Sequence, residues 1–117
     1  MREIEFYRTW NGRSPVAEFI RSLSREQKGK VAAVLRRVER EERVPLQYFK
    51  KLHGTDGLWE VRAEVRRDAF RLLGFFDGPV LVVLVSGFAK KTEQIPRMEI
   101  ATAHSRRQEY FRRKEQE

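Results

Sequence analysis

The chain contains no cysteine, which excludes a disulfide framework, a thiolate nucleophile and a thiolate metal site. It has only two histidines, and no metal-ligand spacing, phosphate-cradling glycine loop or Ser-His-Asp arrangement can be found in it. No metal or other cofactor is therefore expected. No apolar run approaches the roughly 20 residues that cross a bilayer, and the opening MREIEFYRTW lacks the apolar core of a secretory signal. These absences point to a cytoplasmic protein with no membrane contact. Internal repeats and low-complexity segments are absent too.

Positive charge is in excess. Lysine and arginine number 25 against 17 acidic residues, a net charge of +8, so a polyanion is the natural partner. Nucleic acid fits better than a membrane surface, because no segment joins a basic face to a broad apolar one. Residues 1–57 carry +5 of the excess and the segment from Arg97 carries +2, which suggests a broad electrostatic landing surface around a smaller face of mixed charge. A hydrophobic content of 40% and a length of 117 residues suit one folded domain, residues 1–117, with a single modest core.

The stretch Leu58–Lys91 reads as three consecutive antiparallel strands. In Leu58–Glu64, Trp59, Val61 and Ala63 alternate with Glu60, Arg62 and Glu64, as in a strand with one dry and one wet face. Arg66, Arg67 and Asp68 form the first turn, and Asp77-Gly78 is the strongest hairpin signal in the chain. A turn centred between Arg66 and Arg67 sets Arg62 directly opposite Arg71, away from Trp59 and Phe70. A second turn centred between Asp77 and Gly78 brings Ser86, Phe88 and Lys90 to the same side. Like charges opposed across a ladder repel, so two facing arginines imply an anion held between them. The alternative is a pair splayed into solvent and neutralised by Glu60 and Glu64. The third strand, Val80–Val85, is continuously apolar and is expected to be covered on both faces; Ser86-Gly87-Phe88 ends it, and Ala89-Lys90-Lys91 leaves the sheet edge.

The remaining segments supply support. Glu3–Tyr7 alternates as a short strand. Ser14-Pro15 starts a helix with a Val16, Phe19, Ile20, Leu23 stripe; Ser24 with Gln27 is a capping box for a longer helix running to about Arg43. That helix buries Val31, Val34, Leu35 and Val38 and carries Lys28, Lys30, Arg36, Arg37 and Arg40 outward. Val44-Pro45 stops it, Leu46–Asp56 is a connecting loop bearing Lys50, Lys51 and His53, and a last helix runs from Arg97 to about Arg113. The fold class is α+β, in the order β-α-α-β-β-β-α. Two N-terminal helices cover one face of a small sheet, and the other face is left for work, flanked by the basic loop and the C-terminal helix.

Three groups of residues together resemble the HigB-type branch of the RelE-like bacterial toxin superfamily. They are Leu58-Trp59-Glu60-Val61-Arg62; Phe70-Arg71-Leu72; and Gly87-Phe88-Ala89-Lys90-Lys91-Thr92 followed by Ile95-Pro96. Phe6-Tyr7, the Ser14-Pro15-Val16 helix start with Phe19, and Lys51-Leu52 agree, so the likeness spans nearly the whole chain. It implies a toxin of a two-gene toxin–antitoxin system, a ribosome-dependent endoribonuclease that cleaves translated mRNA and halts translation. It further implies a helix-turn-helix antitoxin, with operator DNA bound only through the complex. By the resemblance, Arg62 and Arg71 contact phosphate, Lys50 and Lys51 form the basic loop, and Lys90 and Lys91 the basic strand exit. Arg71 and Arg62 would hold the scissile phosphate with Lys90 assisting, while Phe88 stacks on a base. Lys50, Lys51 and Lys90 are candidates for proton transfer, as is Glu60 unless it only orients Arg62. His104, Tyr110 and Phe111 match no histidine or tyrosine of the superfamily's active sites. Two other functions stay open: gyrase inhibition, as in the ParE branch of the same scaffold, and a basic RNA-binding module without catalysis.

Overall fold

The computed structural model describes residues 1–117. Eight elements follow in order: β1 (Glu3–Phe6), α1 (Pro15–Arg21), α2 (Arg25–Arg40), β2 (Phe49–Lys51), β3 (Trp59–Val65), β4 (Asp68–Asp77), β5 (Leu81–Lys90) and α3 (Arg97–Glu115). The strands form one mixed sheet in the order β1-β5-β4-β3-β2, with β1 parallel to β5 and the other pairs antiparallel. The α+β architecture with two N-terminal helices on one face is therefore as expected. One strand was not: the connecting loop contains β2, so Lys50 and Lys51 sit on an edge strand. Lys50 pairs with Glu60 there. Three residues with one aromatic, Phe49, are too short a run for alternation to stand out.

Both helix starts form as the capping rules require. The Ser14 hydroxyl accepts from the Ala17 amide with Pro15 in the first turn, and Ser24 with Gln27 completes a reciprocal capping box. Val16, Val31, Val34 and Val38 pack onto Phe49, Val61, Ala63, Leu72, Val82 and Leu84, making the core between α1–α2 and the sheet.

The first turn is a two-residue connection at Arg66 and Arg67, with Val65 opposite Asp68 and Arg62 opposite Arg71, the register read from the sequence. The second hairpin differs. Asp77 pairs with Leu81 across a longer turn that begins at Gly78 (φ 79°), and a β-bulge at Leu73/Gly74 leaves Val85 between the Leu73–Ser86 and Gly74–Leu84 pairs. The bulge shifts parity along β5. Val83 and Val85 consequently look to the same side as Ser86, Phe88 and Lys90. β5 also continues through Ser86-Gly87-Phe88 to Lys90, where an end was expected. Gly87 stays in the strand because Phe19 of α1 packs over it; a Cβ there would lie 2.6 Å from the Phe19 ring.

The second face is not left open. α3 crosses it, and Ala103 with flanking Ile100, Tyr110 and Phe111 packs on Tyr7, Leu58, Leu73, Phe75, Val83 and Val85. Arg106 donates to the carbonyl of Val85 at 2.8 Å, satisfying a backbone oxygen at the bulge. Only the part of this face over β2, β3, the start of β4 and the end of β5 remains accessible. No helix is long and apolar enough to cross a membrane.

Candidate functional site

The accessible part of the second face is built as rows across the sheet. Lys50, Glu60, Leu73 and Ser86 lie in line; the next row is Arg62, Arg71 and Phe88; the third is Glu64, Ala69 and Lys90. Strand pairing alone thus converges Lys50, Arg62, Arg71 and Lys90 around two glutamates. An open groove of about 990 Å³ lies over these rows. His53 and Thr55 of the β2–β3 loop wall one side, and Lys91 and Gln94 of the β5–α3 connection with Arg97 at the start of α3 wall the other.

Arg71 is the most unusual side chain in the molecule. Its guanidinium is 2% exposed, yet only one hydrogen bond is made, from Nη1 to the Phe70 carbonyl at 3.0 Å. Glu60 stands between the two arginines, one oxygen 3.6 Å from Arg62 Nε and the other 3.5 Å from Arg71 Nε. Glu64 is 3.8 Å from Arg71 Nη2. These separations are ion pairs too long to be hydrogen bonds, and Arg62 Nε, Arg71 Nε, Glu60 Oε2 and Ser86 Oγ are all buried without a partner. Burial, and after it the neighbouring Arg62, pulls the Arg71 pKa below the ordinary guanidinium range, against the opposing pull of Glu60 and Glu64. The side chain remains a cation, since the starting value is so high. Both Nε–H groups face Glu60 at more than hydrogen-bond length, and desolvated charged groups so loosely paired are costly unless a further anion joins them.

The loop and helix walls are held by specific ties. Thr55 Oγ1 donates to the Leu52 carbonyl at 2.6 Å and accepts from the Leu58 amide, while Arg107 of α3 donates to the Asp56 carbonyl at 2.7 Å. α3 starts at Arg97 without a side-chain cap, and Ile95, Arg97 and Ile100 bring that terminus to the groove. Its positive dipole end adds to the local potential.

Of the residues expected at the site, Arg62, Arg71, Lys50, Lys90 and Lys91 line the groove, and Glu60 and Glu64 do so with them. Lys51 is exposed but outside the lining, because it alternates to the other side of β2 from Lys50. Phe88 shares the face of Arg71 but is 8% exposed, packs in the core beneath α3 and does not line the groove, so its ring is not presented there for stacking. His104 and Tyr110 also lie outside the groove. His104 Nδ1 is 3.1 Å from Arg107, and Tyr110 donates to Asp77 at the far end of β4. The sequence reading missed Gln94 and Arg97; the Ile95-Pro96 break was their signal, since it turns the chain back over the sheet.

A family model for phage-derived Gp49-like proteins matches residues 18–108. The chain belongs to that family. The Gp49-like family is a RelE-like toxin family, associated with the toxins of toxin–antitoxin systems and typically paired with an antitoxin. The matched span runs from α1 into α3 and takes in every residue of the groove named above. No curated protein matches the chain.

Proposed function

We propose that this Gp49-like protein is a HigB-type toxin acting as one domain in the cytoplasm, an endoribonuclease that cleaves translated mRNA on the ribosome. The observation that carries this reading is the buried, under-bonded Arg71 facing Arg62 across β3–β4 beneath an open groove. Two neighbouring guanidinium groups, neither fully hydrogen-bonded within the protein, suit a phosphodiester, which offers acceptors to both. In the reaction the 2′-hydroxyl attacks the adjacent 3′-phosphorus and the P–O5′ bond breaks. The hydroxyl proton goes to a base in the groove, the 5′-oxygen takes a proton as it leaves, and a 2′,3′-cyclic phosphate remains. Arg62 and Arg71 neutralise the charge that builds on the phosphorane, and fixed donors aimed at developing charge are the main source of rate acceleration open to such a site.

Glu60 orients the arginines, since each of its oxygens faces one of them. Lys50, beside Glu60 across the β2–β3 ladder, and Lys90, two columns away on β5, are the groups to carry protons in and out. The partner is a helix-turn-helix antitoxin, and operator DNA is met through that complex.

The test is induction in cells with mapping of new RNA 5′ ends on translated messages. Wild type is expected to cut, and Arg71→Ala to lose at least about 100-fold of the cleavage. Arg71→Lys, which keeps charge but loses the planar fork, should fall in between. Unchanged cleavage in a folded Arg71→Ala variant overturns the reading, and DNA-damage signalling without cleavage redirects it to gyrase inhibition.

A further inference from the structure

The groove over Arg71 adjoins a second, smaller one. Arg62 and Glu64 line both, and the second, about 410 Å³, is completed by Lys30 of α2, Gln47 and Tyr48 ahead of β2, and Arg66 of the β3–β4 turn. The two meet around an exposed strand edge. β2 pairs only with Trp59–Val61, and the Arg62 amide reaches the Tyr48 carbonyl at 2.8 Å, so β3 beyond Arg62 has no neighbour on that side. Ladder alternation turns the Glu64 amide toward this open edge. Tyr48 lies among cations, with Arg37 4.3 Å and Lys30 5.7 Å from its ring centroid. Arg66 is held only by an exposed pair with Glu26 at 3.1 Å.

Resting on the reading of the first groove as an RNA site, we infer that the Lys30–Tyr48–Arg66 groove is a second nucleotide subsite. It takes the phosphate and base adjoining those held at Arg62 and Arg71, so that a single RNA strand bends round the free edge of β3. Lys30 and Arg66 meet the phosphate, Arg62 is shared between neighbouring phosphates, and Tyr48 presents an aromatic surface to the base. A single strand can follow so sharp a path, whereas a duplex, stiff over about 150 base pairs, cannot.

The experiment compares a single-stranded RNA heptamer with a dinucleotide, each 2′-deoxy at the cleavable position, by fluorescence anisotropy and competition. Lys30→Gln with Arg66→Gln is expected to weaken the heptamer about tenfold and to reduce its salt slope by about 1.4, as loss of two single-strand phosphate contacts requires. The dinucleotide, occupying only the first groove, should stay within about twofold. Tyr48→Leu should weaken the heptamer alone. Equal effects on both lengths, no effect on the heptamer, or equal binding of a duplex would overturn the inference. Arg71→Ala separates the two claims: it should weaken both lengths, and if it weakens neither, the first-groove reading falls while the length dependence still decides the second. A wild-type chain that binds neither RNA would remove both.

Discussion

Arg71 and Glu60 are each almost completely buried, and neither has its full set of hydrogen bonds. Each charge in this arrangement depends on the other, so Glu60→Gln leaves two guanidinium groups with only the exposed Glu64 opposite Arg71. Breaking a buried pair from one side costs about 3 kcal/mol. The variant is expected to melt several degrees lower without anion and to recover most of that loss in phosphate, because a bound anion replaces the missing carboxylate. Differential scanning calorimetry with and without phosphate measures both. A loss unaffected by anion would mean that Glu60 only packs. The pairing of Arg62 with Arg71 was legible in the sequence, since alternation and a two-residue turn determine it. The burial of Arg71 was not, because it depends on how Glu60, Arg62 and Glu64 of β3 close round its guanidinium, which alternation alone does not specify.

Among the elements, β5 shows what local pattern conceals. Its apolar run correctly indicated a strand covered on both sides, and Val82 to Val85 are all buried. The bulge, however, is written in Gly74, where a Cβ would lie 2.2 Å from the Val83 carbonyl oxygen. A lone glycine in a strand signals close backbone approach only once the neighbour is known. Gly74→Ala should destabilise by about 1–3 kcal/mol, more than Gly87→Ala, whose clashes are with the side chains of Phe19 and Leu72 and not with backbone. Urea unfolding midpoints give the order, and the reverse order would deny the bulge its backbone constraint.

α3 adds a pH-dependent attachment that its weak apolar periodicity did not advertise. Tyr7 donates to Glu109 at 2.6 Å and Tyr110 to Asp77 at 2.7 Å, with Arg113 and Lys114 beside the carboxylates. The bond from Lys114, then that from Tyr110, holds Asp77 below 3.8; the bond from Tyr7, then that from Arg113, holds Glu109 below 4.5. Burial first, and then the bonds to the same carboxylates, raises both phenols above 10.0. The carboxylates stabilise above their unfolded values and lose that contribution as pH falls through the lowered folded ones. The phenols stabilise below about pH 10 and lose it as pH rises through the raised ones. Hydrogen exchange in the last turns of α3 should therefore be slowest, relative to the intrinsic rate, between about pH 5 and 9. Asp77→Asn with Glu109→Gln should flatten the acid limb and shrink the alkaline one to the part set by burial of the phenols.

At the scale of the whole molecule, the charge excess and the α+β layering were both readable from composition and periodicity. The order of the sheet was not, because a parallel pair between distant strands leaves no local mark. That pair has a consequence in time. β1 is made first, yet its partner residues Leu81–Leu84 follow more than seventy residues later, and the wall that α3 gives the groove comes after them. Contacts so far apart in sequence form slowly and late. During synthesis, at about 5–20 residues per second, the emerging polypeptide spends seconds without a closed sheet. The groove is thereby completed only when almost the whole chain has been made and the final helix has docked.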